Sequence, residues 1–329
     1  MATIGTTNVT LMDIARRLDP QGKIDKIVEI LAQRNEMLED MVWKEGNLPT
    51  GHLVTIRNGL PAGAWRKLNY GVAQEKSTTQ QVTDTCGMLE SYAEIDKDEA
   101  MINGNTAEYR LSEDKAFIEG MSQTLASTLV YGDTDLHPER FLGFAPRFDD
   151  TTAANGDNIL LGDGAASANT SVWLVGWGDD TVCGIYPKGS QAGLMHEDLG
   201  QDTSTDSNGL MHEVLRSHYQ FKAGLSVKNW KYIVRIANID VDNLTKNAST
   251  GSDLIDLMVQ SLEQIEELQS VRPAFYCNRT VRSFLRRQIS NRNNVNLSFD
   301  EVAGKKVMNF DEVPVRRTDK IISAEETVA

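Results

Sequence analysis

From Asp19 to Val42 the chain repeats apolar residues at helical spacing, and this stripe constrains the fold more than any other feature. Its members are Ile24, Ile27, Val28, Leu31, Leu38, Met41 and Val42. Asp19-Pro20 supplies an N-cap followed by proline at the first helical position. Arg34 and Asn35 interrupt the stripe, and Gly46 and Pro49 stop it. A helix of about 26 residues spans about 40 Å and has little upstream chain to pack on. Its apolar face is covered either as an ordinary core helix or as an arm laid on a neighbouring subunit.

The next run, LVTIRNGLPAGAWRKL, places Asn58-Gly59 between β-rich segments, which predicts a hairpin. The hairpin carries Arg57, Arg66, Lys67 and Trp65. Three cations are too few for a nucleic-acid groove, and a β-arm meeting an acidic partner subunit suits them at least as well. The whole chain has 33 basic against 47 acidic side chains, net −14, so DNA phosphates repel it on average. With 329 residues and 40% apolar content it can bury a sizeable core, with a prior of about two domains. Nothing resembles a signal peptide, and no run of about 18 apolar residues would cross a membrane as a helix. Cys86, Cys183 and Cys277 are far apart, which excludes a disulfide framework and a CxxC zinc site and leaves them as small buried hydrophobes.

Residues 88–110 read as a strand followed by a short polar helix or turn. Ser112 is expected to cap a helix over 112–131 with Phe117, Ile118, Met121, Leu125, Thr128 and Leu129 buried, ended by Gly132. Residues 149–170 read as a polar loop. Strand patterns follow on both sides of Gly178-Asp179-Asp180, then a polar stretch at 196–214, then one strand period through Val227, Trp230, Tyr232, Val234 and Ile236. Ser252 is expected to open a helix with Leu254, Ile255, Leu257, Met258, Leu262, Ile265 and Leu268 packed, Pro273 a strand, and Thr280 a further helix. The sum is α+β: two long helices, a projecting hairpin and several antiparallel strands.

Candidate chemistry is sparse. Asp179 and Asp180 between apolar strands resemble a polymerase two-metal hairpin, with Asp240 and Asp242 as conceivable partners, so a metal-dependent nucleotidyl transferase or nuclease is one alternative. Gly-Asp is also ordinary turn chemistry, and the net charge has the wrong sign for a nucleic-acid channel. His196-Glu197 and His212-Glu213 lack a second histidine four residues on, since Gly200 and Arg216 stand there. Gly162-Asp163-Gly164 is not a phosphate loop, and Gly189-Ser190-Gln191-Ala192-Gly193 lacks serine at the elbow position. Arg282, Arg286, Arg287 and Arg292 form a solvated basic face or an intersubunit ion-pair partner. No catalytic residue, cofactor site or metal site is assigned.

Several blocks, in order, resemble a known family: TIRNGLPAGAWRKLNYGV, the run from Ala93 to Asp133, SVWLVGWGDDTVCGIYPKGSQAGLMHEDLG, GLSVKNWKYIVRIANID, RPAFYCNRTVRSFLRRQ and FDEVPVRRTDKIISAE. Together they are similar to the major capsid proteins of tailed bacteriophages, especially the short-tailed phage coat proteins. The resemblance implies the Hong Kong 97-type capsid fold, an α+β fold. It divides the chain into an N-terminal arm over 1–46, an extended E-loop hairpin over 47–80, a P-domain with its spine helix over 81–150, a strand-rich P-domain segment over 151–245, and an A-domain with closing segment over 246–329. The strand-rich segment precedes the A-domain helices, so a permuted strand order is implied. The implied function is a non-catalytic virion subunit assembling in the host cytoplasm into hexamers and pentamers around double-stranded DNA. A scaffolding protein, a portal protein and a cement (decoration) protein would be its partners, with no membrane. Ile24, Leu31, Leu38, Arg57, Trp65, Arg66 and Lys67 are the expected intersubunit contacts. An encapsulin-like cage subunit is the alternative sharing that fold.

Overall fold

The structure, a computed structural model, describes residues 33–101, 106–164, 168–206, 208–244, 252–289, 297–302 and 305–329. In chain order the elements are α1 (Met37–Asp40), β1 (Trp43–Glu45), β2 (Gly51–Gly59), β3 (Thr78–Asp96), α2 (Lys97–Met101), α3 (Thr106–Tyr131), β4 (Ile159–Leu161), β5 (Asn169–Trp177) and β6 (Val182–Tyr186). They continue with β7 (Leu194–Thr205), β8 (Met211–Val227), β9 (Ile233–Asp240), α4 (Leu254–Gln264), β10 (Arg272–Cys277), α5 (Arg279–Ile289), β11 (Leu297–Val302), β12 (Lys305–Phe310) and β13 (Val313–Arg317). The chain divides into two compact units. Arg34–Met88, Ala126–Ala192 and Lys222–Ala329 form the larger; Leu89–Leu125 and Gly193–Phe221, with Gln33, belong to the smaller.

In the larger unit β5 is the centre, and all nine of its residues are buried. It pairs antiparallel with β10 on one side (Phe275 opposite Leu174) and with β9 on the other (Val234 opposite Leu174). β10 continues into parallel β13, and β12 and β11 extend the sheet antiparallel. Because β5 is covered on both faces, its Val172–Trp177 part carries no polar residue and does not alternate, while the buried Asn169, Thr170 and Ser171 open the strand. One face, with Val172, Leu174, Ile236 and Phe275, packs against Leu254 and Met258 of α4 and Val281 and Leu285 of α5. The other face sets Trp173 and Trp177 against Phe144 at ring-centroid distances of 5.7 and 6.0 Å. Burial pushes the Cys277 thiol up to about 12, and burial followed by the Asp84 charge pushes Cys86 up to about 11, so both stay protonated near neutral pH.

In the smaller unit the Leu89–Asp96 part of β3 and the β7–β8 hairpin carry Leu89, Ala93, Tyr219 and Phe221, packed on Phe117 and Met121 of α3. The polar stretch 196–214 is therefore not a loop but hairpin strands, with β7 and β8 paired from Leu194 opposite Phe221 to Thr205 opposite Met211. Its polarity belongs to the face without a helix, where Arg216 bonds Glu94 at 2.7 Å and also Asp202. Asp206 closes the turn by accepting from the backbone of Asn208 and Leu210, each at 2.8 Å.

Several sequence expectations change. The helix expected to run from residue 19 to 45 does not continue through its described part: after the single turn of α1, Met41 is extended and β1 pairs parallel with β6. Distant partners decide this. Glu36 exchanges backbone and side-chain hydrogen bonds with Arg317 at 3.0 and 2.8 Å, and Asn35 bridges to Thr318. Residues 19–32 of that stripe lie outside the described residues. α3 begins at Thr106, so Ser112 is inside the helix rather than its cap, and Ile118 is exposed while Asp114 is buried. The strand expected across 227–236 breaks at a 3₁₀ turn, Trp230–Tyr232, where Asn229 accepts from Lys231 N. The loop at 149–170 contains a 3₁₀ turn and β4.

Two caps also fall one or two residues from their expected places. Asn278, not Thr280, accepts from Val281 N at 2.8 Å at the start of α5. At α4, Ser252 bonds Asp163, and Asp253 caps the helix by accepting from Ile255 N and Asp256 N; the helix ends at Gln264. Asp253→Ala is expected to lower stability by about 1 kcal/mol, read as a lower urea midpoint at unchanged slope.

Candidate assembly surface

β2 and β3 pair from Gly51 opposite Thr85 to Gly59 opposite Thr78. The base of this hairpin is held tightly. The Asn47 side chain exchanges two 2.7 Å hydrogen bonds with the Leu53 backbone, and Cys86 N donates to Thr50 O at 2.9 Å. A Cβ at Gly51 would meet Asp84 O at 2.0 Å, so only glycine lets the strands approach there. Beside it the buried Asp84 carboxylate receives Arg147 Nη2 at 2.8 Å, and the same guanidinium reaches the Leu225 carbonyl at 3.3 Å.

The expected tight turn at Asn58-Gly59 is absent. Neither residue has positive φ, which a type I′ turn needs at both positions. They are the last residues of β2, and the Asn58 carboxamide accepts from Thr78 Oγ1 at 2.8 Å. Pro61, two residues after Gly59, cannot donate to a returning ladder, and the strands pair again only beyond residues 60–77. Every residue of 60–77 is exposed. Leu60, Trp65 and Leu68 are 78%, 105% and 85% accessible, and Tyr70 and Val72 are exposed as well. Arg57, Arg66, Lys67 and Lys76 accompany them against Glu75, in a chain of net −14.

Of the residues expected to contact other subunits, Trp65, Arg66 and Lys67 stand on this loop and Arg57 near the end of β2, all exposed. Leu38 is half-buried in α1, away from the loop in sequence, and Ile24 and Leu31 lie outside the described residues. The other large apolar residues of the loop, Leu60, Leu68, Tyr70 and Val72, have no strand or helix period and so carry no secondary-structure signal. Their only mark in the sequence is a cluster of large apolar residues inside a Gly- and Pro-punctuated stretch. Burying a large apolar side chain is worth about 1.5–3 kcal/mol, so five give on the order of 10 kcal/mol per loop, comparable with the cost of association.

The carboxylates that resembled a two-metal site are not brought together. Asp240 pairs with Asn169 at one end of β5, while Asp179 and Asp180 follow Trp177 at its other end. A nine-residue strand separates the two pairs by about 26 Å, where bridging metals sit about 4 Å apart. Asp240 instead accepts from Asp242 N at 2.9 Å and Asn243 Nδ2 at 2.6 Å. Gly178–Thr181 is a turn, with Thr181 Oγ1 donating to Gly176 O at 2.8 Å, but β5 and β6 do not form a hairpin ladder: β6 leaves to lie between β1 and β8. Among the described residues no three His, Cys, Asp or Glu side chains form a metal-sized group. His196 and His218 stack on Tyr219 and Tyr92. Asp179→Asn with Asp180→Asn is expected to change stability by less than about 0.5 kcal/mol, read as an unchanged urea midpoint, because Lys228 holds the Asp179 backbone carbonyl, not its side chain.

Comparison with known proteins gives a consistent picture. Residues 19–329 match the family described as major capsid protein GP7. A chain of the bacteriophage Epsilon15 structure is 36% identical, with 100% of this chain and 99% of that chain covered and a TM-score of 0.80. A chain of the bacteriophage JBD30 capsid is similar in fold, with a TM-score of 0.52 at 12% identity over 89% of this chain and 93% of that one. Among curated proteins there is no match.

Proposed function

The chain belongs to the major capsid protein GP7 family, and from that premise we propose how it builds a shell. It is a tailed-phage coat protein with the Hong Kong 97-type fold, and it forms the icosahedral shell of the virion. The exposed 60–77 loop on its clamped hairpin is the E-loop. It reaches a neighbouring copy, burying Leu60, Trp65, Leu68, Tyr70 and Val72 while Arg57, Arg66 and Lys67 meet that copy's acidic surface. A clamped base suits this, because a rigid arm loses little entropy on docking. The observation that carries the reading is the exposure of five large apolar side chains on one loop.

By the same reading α3 contains the spine helix of the P-domain, and α4 with β10 belongs to the A-domain. Copies associate as hexamers and pentamers around double-stranded DNA, and a net charge of −14 keeps the inner wall from gripping the packaged phosphates. Assembly takes place in the host cytoplasm with a separate scaffolding protein and a portal protein, a decoration protein is a further partner, and no step is catalytic. Purified chain, alone and with its scaffolding protein, is examined by sizing and negative-stain microscopy. Closed shells are expected; a compact monomer at every concentration under both conditions overturns the proposal.

A further inference from the structure

Two helices of the larger unit carry opposite charge. From Asp253 to Val271, α4 and the turn after it hold Asp253, Asp256, Glu263, Glu266 and Glu267 and no lysine or arginine. α5 holds Arg279, Arg282, Arg286 and Arg287 and no acidic residue, against the balance of a chain of net −14. Leu254 and Met258 of α4 and Val281 and Leu285 of α5 enter the core, whereas Asp256, Glu263, Arg279 and Arg286 are exposed. On each helix the charges repeat at the same interval. Asp256 and Glu263 are seven residues apart, two turns or about 10 Å along one line, and so are Arg279 and Arg286.

The sheet keeps the two helices apart. α4 lies over β9 and α5 over β13, on one face of the sheet. β5 and β10 separate those strands, three spacings or about 14 Å in all. The helical layer is therefore acidic on one side and basic on the other. Lys231 meets Glu266, but among the described residues no cation pairs with Asp256 or Glu263, and Asp256 accepts instead from Gln260 Nε2 at 2.7 Å.

We infer that α5 of one copy docks along α4 of a second copy, with the line from Arg279 through Arg286 against the line from Asp256 through Glu263. The inference rests on the chain being a shell subunit, because the contact needs copies side by side. The two faces differ, so the contact is heterologous: each copy gives one and receives one, and repetition about an axis closes a ring. Charge matched at equal spacing selects this face and rejects like against like.

The test uses the full-length chain and reads the concentration at which light scattering reports particles. Arg279→Glu with Arg286→Glu reverses α5, and Asp256→Lys with Glu263→Lys reverses α4. Each pair is expected to raise that concentration at least about tenfold, and all four substitutions in one chain to return it to within about threefold of wild type. A mixture of the two reversed chains is expected to assemble where neither does alone, because alternating copies then present opposite charges. Rescue in the four-substitution chain without rescue in the mixture would place the pairing inside one subunit and overturn the inference. So would wild-type assembly of either reversed chain, or no rescue in either form. Arg286→Glu alone leaves the 3.5 Å contact of Arg279 with Asp319 in place and is a second reading should the α5 double variant lose its urea midpoint. It is expected to raise the concentration about fivefold, and no change overturns the contact. Wild-type chain in parallel separates the two claims: absence of wild-type particles strikes the shell reading, and unaffected variants strike only this contact.

Discussion

Glu325→Ala is expected to lower unfolding stability by about 3–5 kcal/mol, the largest single-site loss predicted for the subunit. The Glu325 carboxylate is buried and accepts from Arg235 Nη2 at 2.9 Å and Ser171 Oγ at 2.7 Å, with Tyr131 OH as a third donor. Arg235 is itself buried, 5.1 Å from the Trp173 ring centroid, with Nη1 donating to Phe148 O at 2.7 Å. Removing the carboxylate strands a guanidinium in the core with one carbonyl and one ring face for company. Glu325 also pins the 318–329 segment, since its N–H donates to Asn169 O at 2.9 Å, and nearby Val328 exchanges two hydrogen bonds with the Asn238 side chain.

Charge and hydrogen bonding separate in a variant series. Glu325→Gln keeps an acceptor without the charge and is expected to fall between wild type and alanine. The double replacement Arg235→Met with Glu325→Met is expected to recover most of the loss, because burying neither charge costs less than burying one alone. Burial, then the Glu325 charge, raise the Tyr131 phenol well above its ordinary range, and Glu325→Ala removes the second contribution. Urea unfolding of dispersed subunits reads all three variants. A loss below about 1 kcal/mol for Glu325→Ala would remove the ion pair from the account of stability.

What could be read from the sequence follows the range of the interactions involved. β5 and α4 are legible because their burial is recorded locally: an unbroken run without polar residues from Val172 to Trp177 in one, a spaced stripe in the other. α1 and β1 were not, because residues 35 and 36 are held by Arg317 and Thr318 at the far end of the chain, and a helical period over 19–45 carries no trace of that. The caps went astray by one or two positions where neighbouring polar residues compete: Ser252 with Asp253, and Thr280 with Asn278. The hairpin that ends in the 60–77 loop is legible through its β-rich flank, and Trp65, Arg66 and Lys67 are the residues that single this loop out in the sequence. Its true reach was hidden because Asn58-Gly59 has turn chemistry, yet lies in a ladder that needs a partner 19 residues on, with Gly59 opposite Thr78. Leu60, Leu68, Tyr70 and Val72 carry no such mark, because hydrophobic period records burial within a subunit, and these four side chains are exposed there.

That distinction yields the second large effect. Trp65→Asp with Leu68→Asp is expected to abolish particle formation at concentrations where the wild type assembles, while the dispersed subunit keeps its urea midpoint. Both side chains are almost wholly exposed in the subunit, so their replacement changes folding stability by less than about 0.5 kcal/mol. In the proposed contact each replacement forfeits about 1.5–3 kcal/mol of apolar burial, and two carboxylates must be desolvated as well. At about 1.4 kcal/mol per decade, a loss of about 4 kcal/mol per subunit raises the concentration needed for assembly about a thousandfold. In the proposed contact every copy takes part, so intact contacts elsewhere cannot offset its loss. Light scattering against concentration, paired with unfolding of the same samples, gives both numbers. Assembly at the wild-type concentration would show that the loop is not an interface; a shifted urea midpoint would show that it is part of the subunit's own fold.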